Sequence, residues 1–138
     1  MYLVDTNVWL ERLLNQDKSD EVGKFLSRVP AGDLYLSDFT FHSICVVLTR
    51  LAKSSALLDF VQDVFVDGGV NLVSIKPHDT QDLVNVINAH NFDFDDAYQY
   101  LAAKQNDLIL VSFDTDFDRI ENARRAPGEI LSEATESE

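Results

Sequence analysis

Asp5, Asp38 and the pair Asp114 and Asp116 each follow a short apolar run, respectively Tyr2-Leu3-Val4, Leu34-Tyr35-Leu36 and Leu108-Ile109-Leu110-Val111, and Asp96 falls in the first turn of a helical pattern. If the apolar runs are parallel strands, these acids gather outside the carboxyl ends of one sheet, where such folds hold their ligands. Two carboxylates about 5 Å apart repel by roughly 3 kcal/mol at an effective dielectric near 20, so three or four that converge need a cation or must take up protons. One cysteine, Cys45, and three scattered histidines, His42, His78 and His90, leave the ligation to oxygen. Oxygen donors select Mg²⁺ or Mn²⁺ over zinc or copper. Aspartate is also a common cap and turn residue, and the chain has 17 of them. Capping alone does not place several at one sheet edge, which singles out Asp5, Asp96 and Asp114. Asp93 and Asp95 read as cap or solvent residues, and Asp107, Asp118 and Asp38 as mostly surface, with Asp38 close enough to the acids to matter. Asp38 stands at the same edge.

The elements that must position these acids follow from the apolar spacing. The run Tyr2 to Val4 ends in Asp5-Thr6-Asn7, side chains that cap a helix N-terminus, so strand, turn and helix follow in order. Val22, Phe25, Leu26 and Val29 mark one helix face, and Phe41, Ile44, Cys45, Leu48 and Leu51 mark another. Leu57, Leu58, Val61, Val64 and Phe65 mark the next, which Gly68-Gly69 stops. Leu72 to Ile75 is a third strand. Pro77 leads into a helix carrying Leu83, Val84 and Ile87. Asp93 is placed to cap the helix of Ala97, Tyr98, Leu101 and Ala102, with Asp96 completing a capping box. Helical patterns between the strands, in place of two-residue hairpins, require crossovers. The class is therefore α/β, with a central parallel sheet of four to five strands covered by helices on both faces.

A chain of 138 residues is sized for one domain, expected over residues 1–126. Residues 127–138, with four Glu and no Lys or Arg after Gly128, read as an acidic and flexible tail. The longest apolar stretches are about five residues, far below the roughly 20 of a membrane span. The N-terminus lacks a basic segment and meets Asp5 at once, unlike a secretory signal. These features and the single cysteine place the protein in the cytoplasm, with no membrane partner. The net charge of −13 disfavours non-specific binding to a phosphate backbone.

Several motif readings fail on spacing. Asp114-Thr115-Asp116 resembles the phosphoryl-transfer DxD of haloacid dehalogenase-like hydrolases, but only 22 residues follow Asp116. An EF-hand beginning at Asp114 would need Gly and Glu where Arg119 and Arg125 stand. No phosphate-binding glycine loop or nucleophile elbow is present.

Taken together, Val4-Asp5-Thr6-Asn7, the Asp96-Ala97 pair opening a helix, and Val111-Ser112-Phe113-Asp114-Thr115-Asp116-Phe117 with Asp118-Arg119-Ile120 resemble the three aspartate motifs of the PIN domain family. Within it they resemble the small VapC-like toxins of type II toxin–antitoxin pairs. The resemblance covers about residues 1 to 120. It implies a Mg²⁺- or Mn²⁺-dependent ribonuclease, commonly a homodimer, inhibited by a small antitoxin protein. On this basis Asp5, Asp96 and Asp114 are expected to ligate the metal. Asp116 would assist directly or through water, and Thr6, Asn7 and Ser112 would orient the ligands.

The family pattern of Ser/Thr, Thr and Glu at three-residue intervals is met here by Ser37 and Thr40, and then by Ser43 in place of the acid. That substitution predicts weaker metal binding; either Asp38 leans into the space left by the missing carboxylate and restores the charge through a water, or His42, when protonated, contacts a phosphate. The alternative class is a catalytically weak or inactive PIN-fold module that binds a protein partner. The net charge of −13 and the missing Glu favour that alternative, whereas for the ribonuclease the helices bearing Phe41, Ile44, Leu57, Leu58, Phe60 and Phe65 offer apolar surface to an antitoxin, and the acidic chain would attract a basic one.

Overall fold

The computed structural model describes residues 1–137, with side chains described through Glu133. Its four strands, β1 (Tyr2–Val4), β2 (Leu34–Ser37), β3 (Asn71–Val73) and β4 (Ile109–Val111), are all parallel in the order β3-β2-β1-β4. Seven α-helices connect and cover them: α1 (Thr6–Leu13), α2 (Ser19–Arg28), α3 (Asp38–Arg50), α4 (Ser54–Val61), α5 (Thr80–His90), α6 (Phe94–Gln105) and α7 (Pro127–Ser137). The fold is the three-layer α/β sandwich expected from the crossover pattern.

Alternation along short strands divides the core between the two faces. Val4 and Val111 point to one side, where they meet Val8, Trp9, Phe25, Ile44, Leu48 and Phe60 from α1 to α4. Leu3 and Leu110 point to the other, against Leu83 of α5 and Ala97, Leu101 and Ala102 of α6. Full burial of a side chain such as Leu3 or Phe25 is worth about 1.5–3 kcal/mol.

Strand order decides where a ligand can sit. The chain runs from β1 to β2 to β3 in one direction, then crosses back to place β4 on the far side of β1. The connections leaving β1 and β4 diverge and open a crevice between their carboxyl ends. Asp5 and Ser112 are the first residues past those two ends.

Three differences from the sequence reading have local causes. β3 covers 71–73 instead of 72–75: at its start Asn71 Nδ2 donates to the carbonyls of Gly32 and Leu34, and past its end the Ile75 N–H donates to the Tyr98 hydroxyl at 2.9 Å. The helix expected through Phe65 changes to π-helical winding at Gln62–Asp67. Gly68 closes that segment, and a Cβ there would lie 2.6 Å from the Asp63 carbonyl oxygen. The residues expected to form a tail after 126 instead begin α7, with Pro127 at its start. Ile130 is buried against the face that holds Phe25, and Arg125 pairs with Glu129 and Glu133. Two of the four late acids are thereby tied to the fold; Glu138 lies outside the described residues.

Most of the apolar surface expected to await a partner is used internally. Ile44 and Phe60 are buried, and Phe41, Leu57 and Phe65 pack against the same cluster, whereas Leu58 is 71% exposed.

Candidate active site

Asp5 leaves the sheet at the crevice. Its backbone N–H still donates to the Val111 carbonyl at 2.9 Å, so the residue is fixed at the β1/β4 boundary. Its extended backbone makes it the N-cap of α1. Oδ1 accepts from Thr6 N at 2.7 Å and from Gln99 Nε2 at 2.8 Å. Oδ2 accepts from Ser112 Oγ at 2.8 Å and Asn7 Nδ2 at 3.4 Å. Asn7 also donates to Ser112 Oγ and accepts from Phe113 N, which joins the start of α1 to the loop after β4. Thr6, Asn7 and Ser112 therefore all bear on the Asp5 carboxylate or its supports. Burial raises the Asp5 carboxyl above the ordinary range; the Gln99, Ser112 and Thr6 hydrogen bonds oppose that, and the charge of Asp114 adds to it.

Asp96 has the contrasting environment. It is 7% exposed, and none of the described residues donates a hydrogen bond to its carboxylate. Carboxylate oxygens of Asp96, Asp114 and Asp116 all lie within 4.8 Å of one another. Burial first, then the charges of Asp114, Asp95, Asp116 and Asp5, push the Asp96 carboxyl up to about 7. A buried acid without donors, facing two others, fits a hard divalent cation. Asp114 is oriented at both ends: its N–H donates to Ser112 Oγ at 3.0 Å, and its Oδ1 accepts from Asp116 N at 2.8 Å. Asp116 is 47% exposed along its side chain and lies 3.7 Å from Arg119. The cleft, about 220 Å³, is bounded by Asp5, Asp96 and Asp114. A larger cavity beside α7, about 550 Å³, contains Arg125, Glu129 and Glu133, whose charges are paired.

Gln99 was not anticipated. It is 2% exposed, three residues after Asp96 and so on the same helix face. Its Nε2 donates to both Asp5 Oδ1 and Thr40 Oγ1, while its Oε1 accepts from Ser37 Oγ at 2.6 Å. Thr40, fully buried, accepts in addition from Thr6 Oγ1 at 2.9 Å. One amide thus ties α6 to the ends of β1 and β2. The available signal was a long polar residue in the Ala-rich face of an otherwise well-patterned helix.

The PIN domain family model matches residues 2–123 of the chain. The protein belongs to the PIN domain family. Its fold is similar to that of a protein in a toxin–antitoxin complex from Klebsiella pneumoniae, with 19% identity, a TM-score of 0.73, and coverage of 92% of this chain and 98% of the other. It is also similar to FitAcB from Neisseria gonorrhoeae, with 23% identity, a TM-score of 0.67, and coverage of 91% and 95%. For PAE2754 from Pyrobaculum aerophilum the identity is 16%, the TM-score 0.70, and the coverage 98% and 95%. No curated protein matches the sequence.

Within this PIN domain, the other expected positions separate. Ser43 lines the cleft beside Asp5 and Asp96 and brings a hydroxyl to a wall otherwise rich in carboxylates. Asp38 does not lean into the cleft. Ser37, not Asp38, caps α3 by accepting from Thr40 N, and Asp38 accepts from Phe39 N at 2.9 Å and from the Tyr98 hydroxyl at 2.6 Å. β2 lies one strand away from the β1/β4 crevice, so the first residue past its capping serine is held outside the acid group. The capping box expected of Asp93 and Asp96 is also absent: Asp93 has the extended backbone of a cap but makes no side-chain capping bond, and Asp96 turns to the cleft. Asp95 is exposed, as expected, and also borders the cleft, where its carboxylate, that of Asp93 and that of Asp96 approach one another within 4.8 Å.

Proposed function

We propose that this PIN domain is a Mg²⁺- or Mn²⁺-dependent endoribonuclease that hydrolyses RNA phosphodiester bonds, and that it is the toxin of a toxin–antitoxin pair. The observation that carries the reading is Asp96, a buried carboxylate without hydrogen-bond donors, raised to about 7 and facing Asp114 and Asp116. Asp96, Asp114 and Asp116 would hold the cation, with Asp5 at the floor of the cleft. When bound, the cation would supply charge neutralisation at the scissile phosphate and an acidified water. The chain's own part is positional. Ser112, Asn7, Thr6 and Gln99 hold Asp5, and Ser112 and Asp116 hold Asp114. No side chain is required as nucleophile. The partners proposed with this reading are an RNA substrate, a small basic antitoxin and a second copy of the chain, in the cytoplasm. Two findings support the antitoxin: a structural neighbour is itself in a toxin–antitoxin complex, and the net charge of −13 would attract basic side chains.

The test is cleavage of a fluorescent RNA with Mn²⁺, against EDTA and against Asp5→Asn and Asp96→Asn. Cleavage confined to the metal-loaded native chain is expected. Equal cleavage in every sample would show a contaminant and remove the assignment. The second reading, a weak or inactive binding module, draws on Ser43 in the cleft wall. Flat calorimetric titrations with both Mg²⁺ and Mn²⁺ would favour it.

A further inference from the structure

The loop bearing Asp114 and Asp116 leaves β4 at Ser112 and returns beside the same strand. Arg125 N donates to the Leu110 carbonyl at 2.8 Å, and Ser112 N donates to the Arg125 carbonyl at 3.0 Å, a parallel bridge opposite Val111. The residue before that return, Arg124, reaches back across the loop. Its Nη1 donates to the Ser112 carbonyl at 3.0 Å. Its Nε and Nη2 donate to the two oxygens of Asp118 at 3.0 and 3.1 Å. The guanidinium therefore joins the first residue of the loop to its far side, while Phe117 between them is fully buried. Ser112 is also the residue whose hydroxyl serves both Asp5 and Asp114. The Arg124 side chain is 16% exposed, far less than the 57% of Asp118, which fits a fastening more than a loose surface pair.

We propose that Arg124 is a positioning residue: by clasping the Ser112 carbonyl and the Asp118 carboxylate together, it sets the spacing at which Asp114 and Asp116 meet Asp96. The inference rests on the metal reading of that acid group. Two effects of Arg124 on cation binding have opposite signs, which makes the proposal decidable. As a positive charge near the acids, Arg124 repels a cation, so its removal by charge alone would tighten binding. As a clasp it preorganises the ligands, and its loss weakens binding by about 10- to 100-fold, the usual range for residues that orient metal ligands. Lysine keeps the charge but not the planar fork that spans three acceptors.

The experiment is calorimetric titration of the full chain with Mn²⁺ alone, for the native protein, Arg124→Lys, Arg124→Gln, Asp118→Asn and the double variant Arg124→Lys/Asp118→Asn, with thermal melting in EDTA alongside. The expected result is Mn²⁺ affinity reduced at least about tenfold in both Arg124 variants, with melting in EDTA close to native. The double variant should be no weaker than the weaker single variant, because one clasp is lost only once. Native affinity in Arg124→Lys, or tighter binding in Arg124→Gln, would overturn the clasp and leave the metal site standing. No Mn²⁺ uptake by the native chain would instead remove the metal reading, and the clasp with it.

Discussion

Replacing Asp96 with Asn should stabilise the metal-free protein at alkaline pH, although it removes a residue proposed to hold the metal. The Asp96 carboxyl is raised from an ordinary 3.8 to about 7. That gap is roughly three decades of proton affinity, or about 4 kcal/mol at 1.4 kcal/mol per decade. The cleft opens to water, which screens the neighbouring charges and brings the cost to about 2 kcal/mol. Because the folded state holds this proton more tightly than the unfolded chain, stability from this group is fully present below about pH 4 and is lost as pH rises through about 7. Asp96 also sits in the first turn of α6, where a negative charge gains up to about 1 kcal/mol from the helix dipole that Asn forgoes. The net expectation for Asp96→Asn in EDTA is a gain of about 1 kcal/mol at pH 8, a rise of roughly 3 °C in melting temperature, and no gain at pH 4. Adding millimolar Mn²⁺ should reverse the ranking, since only the native chain is stabilised by binding. Urea denaturation at the two pH values, with and without metal, measures each quantity. A variant less stable than native at pH 8 in EDTA would show that the Asp96 charge is not opposed by its surroundings, and the electrostatic case for a cation there would fail.

Ser43→Glu adds a carboxylate to the cleft wall and should tighten Mn²⁺ binding by about tenfold or more in calorimetry while lowering stability in EDTA at pH 8; unchanged affinity would remove Ser43 from the site. Gln99→Leu strands the Ser37 hydroxyl and removes donors from Asp5 and Thr40, so a loss of about 2–4 kcal/mol is expected in urea denaturation. Ile130→Ala should cost about 2–4 kcal/mol if α7 is part of the cooperative unit, and a native denaturation midpoint would return residues 127–137 to the status of an appendage.

The acids were legible to different degrees for identifiable reasons. Asp5 and Asp114 follow short apolar runs separated by helical patterns, which read as strands joined by crossovers, and parallel topology then places both at one edge. Asp96 was legible as a first-turn helix residue, but not as an uncapped one: the pattern Asp93 to Asp96 reads equally as a capping box, and only tertiary placement turns Asp96 inward. Asp38 follows a strand just as Asp5 does, yet the strand order sets it beside Tyr98, and order across a sheet is not encoded in local spacing. Gln99 was hidden because an i+3 neighbour has meaning only after the buried face of α6 is known. The tail was misjudged by composition: its acids suggested solvent, whereas Ile130 and the Arg125 pairs decide the outcome.

The central position of β1 bears on when the site comes into being. Asp5 accepts from Ser112, 107 residues later in the chain, and its own N–H is paired only when Val111 arrives. A chain that stops before β4 has neither the strand that anchors Asp5 nor the loop that confronts Asp96. Such a chain cannot bring Asp114 and Asp116 to Asp96. For a chain proposed to cut RNA, the group of acids proposed to hold the cation is therefore brought together by residues far apart in the sequence, and it forms only after residue 116 has been added.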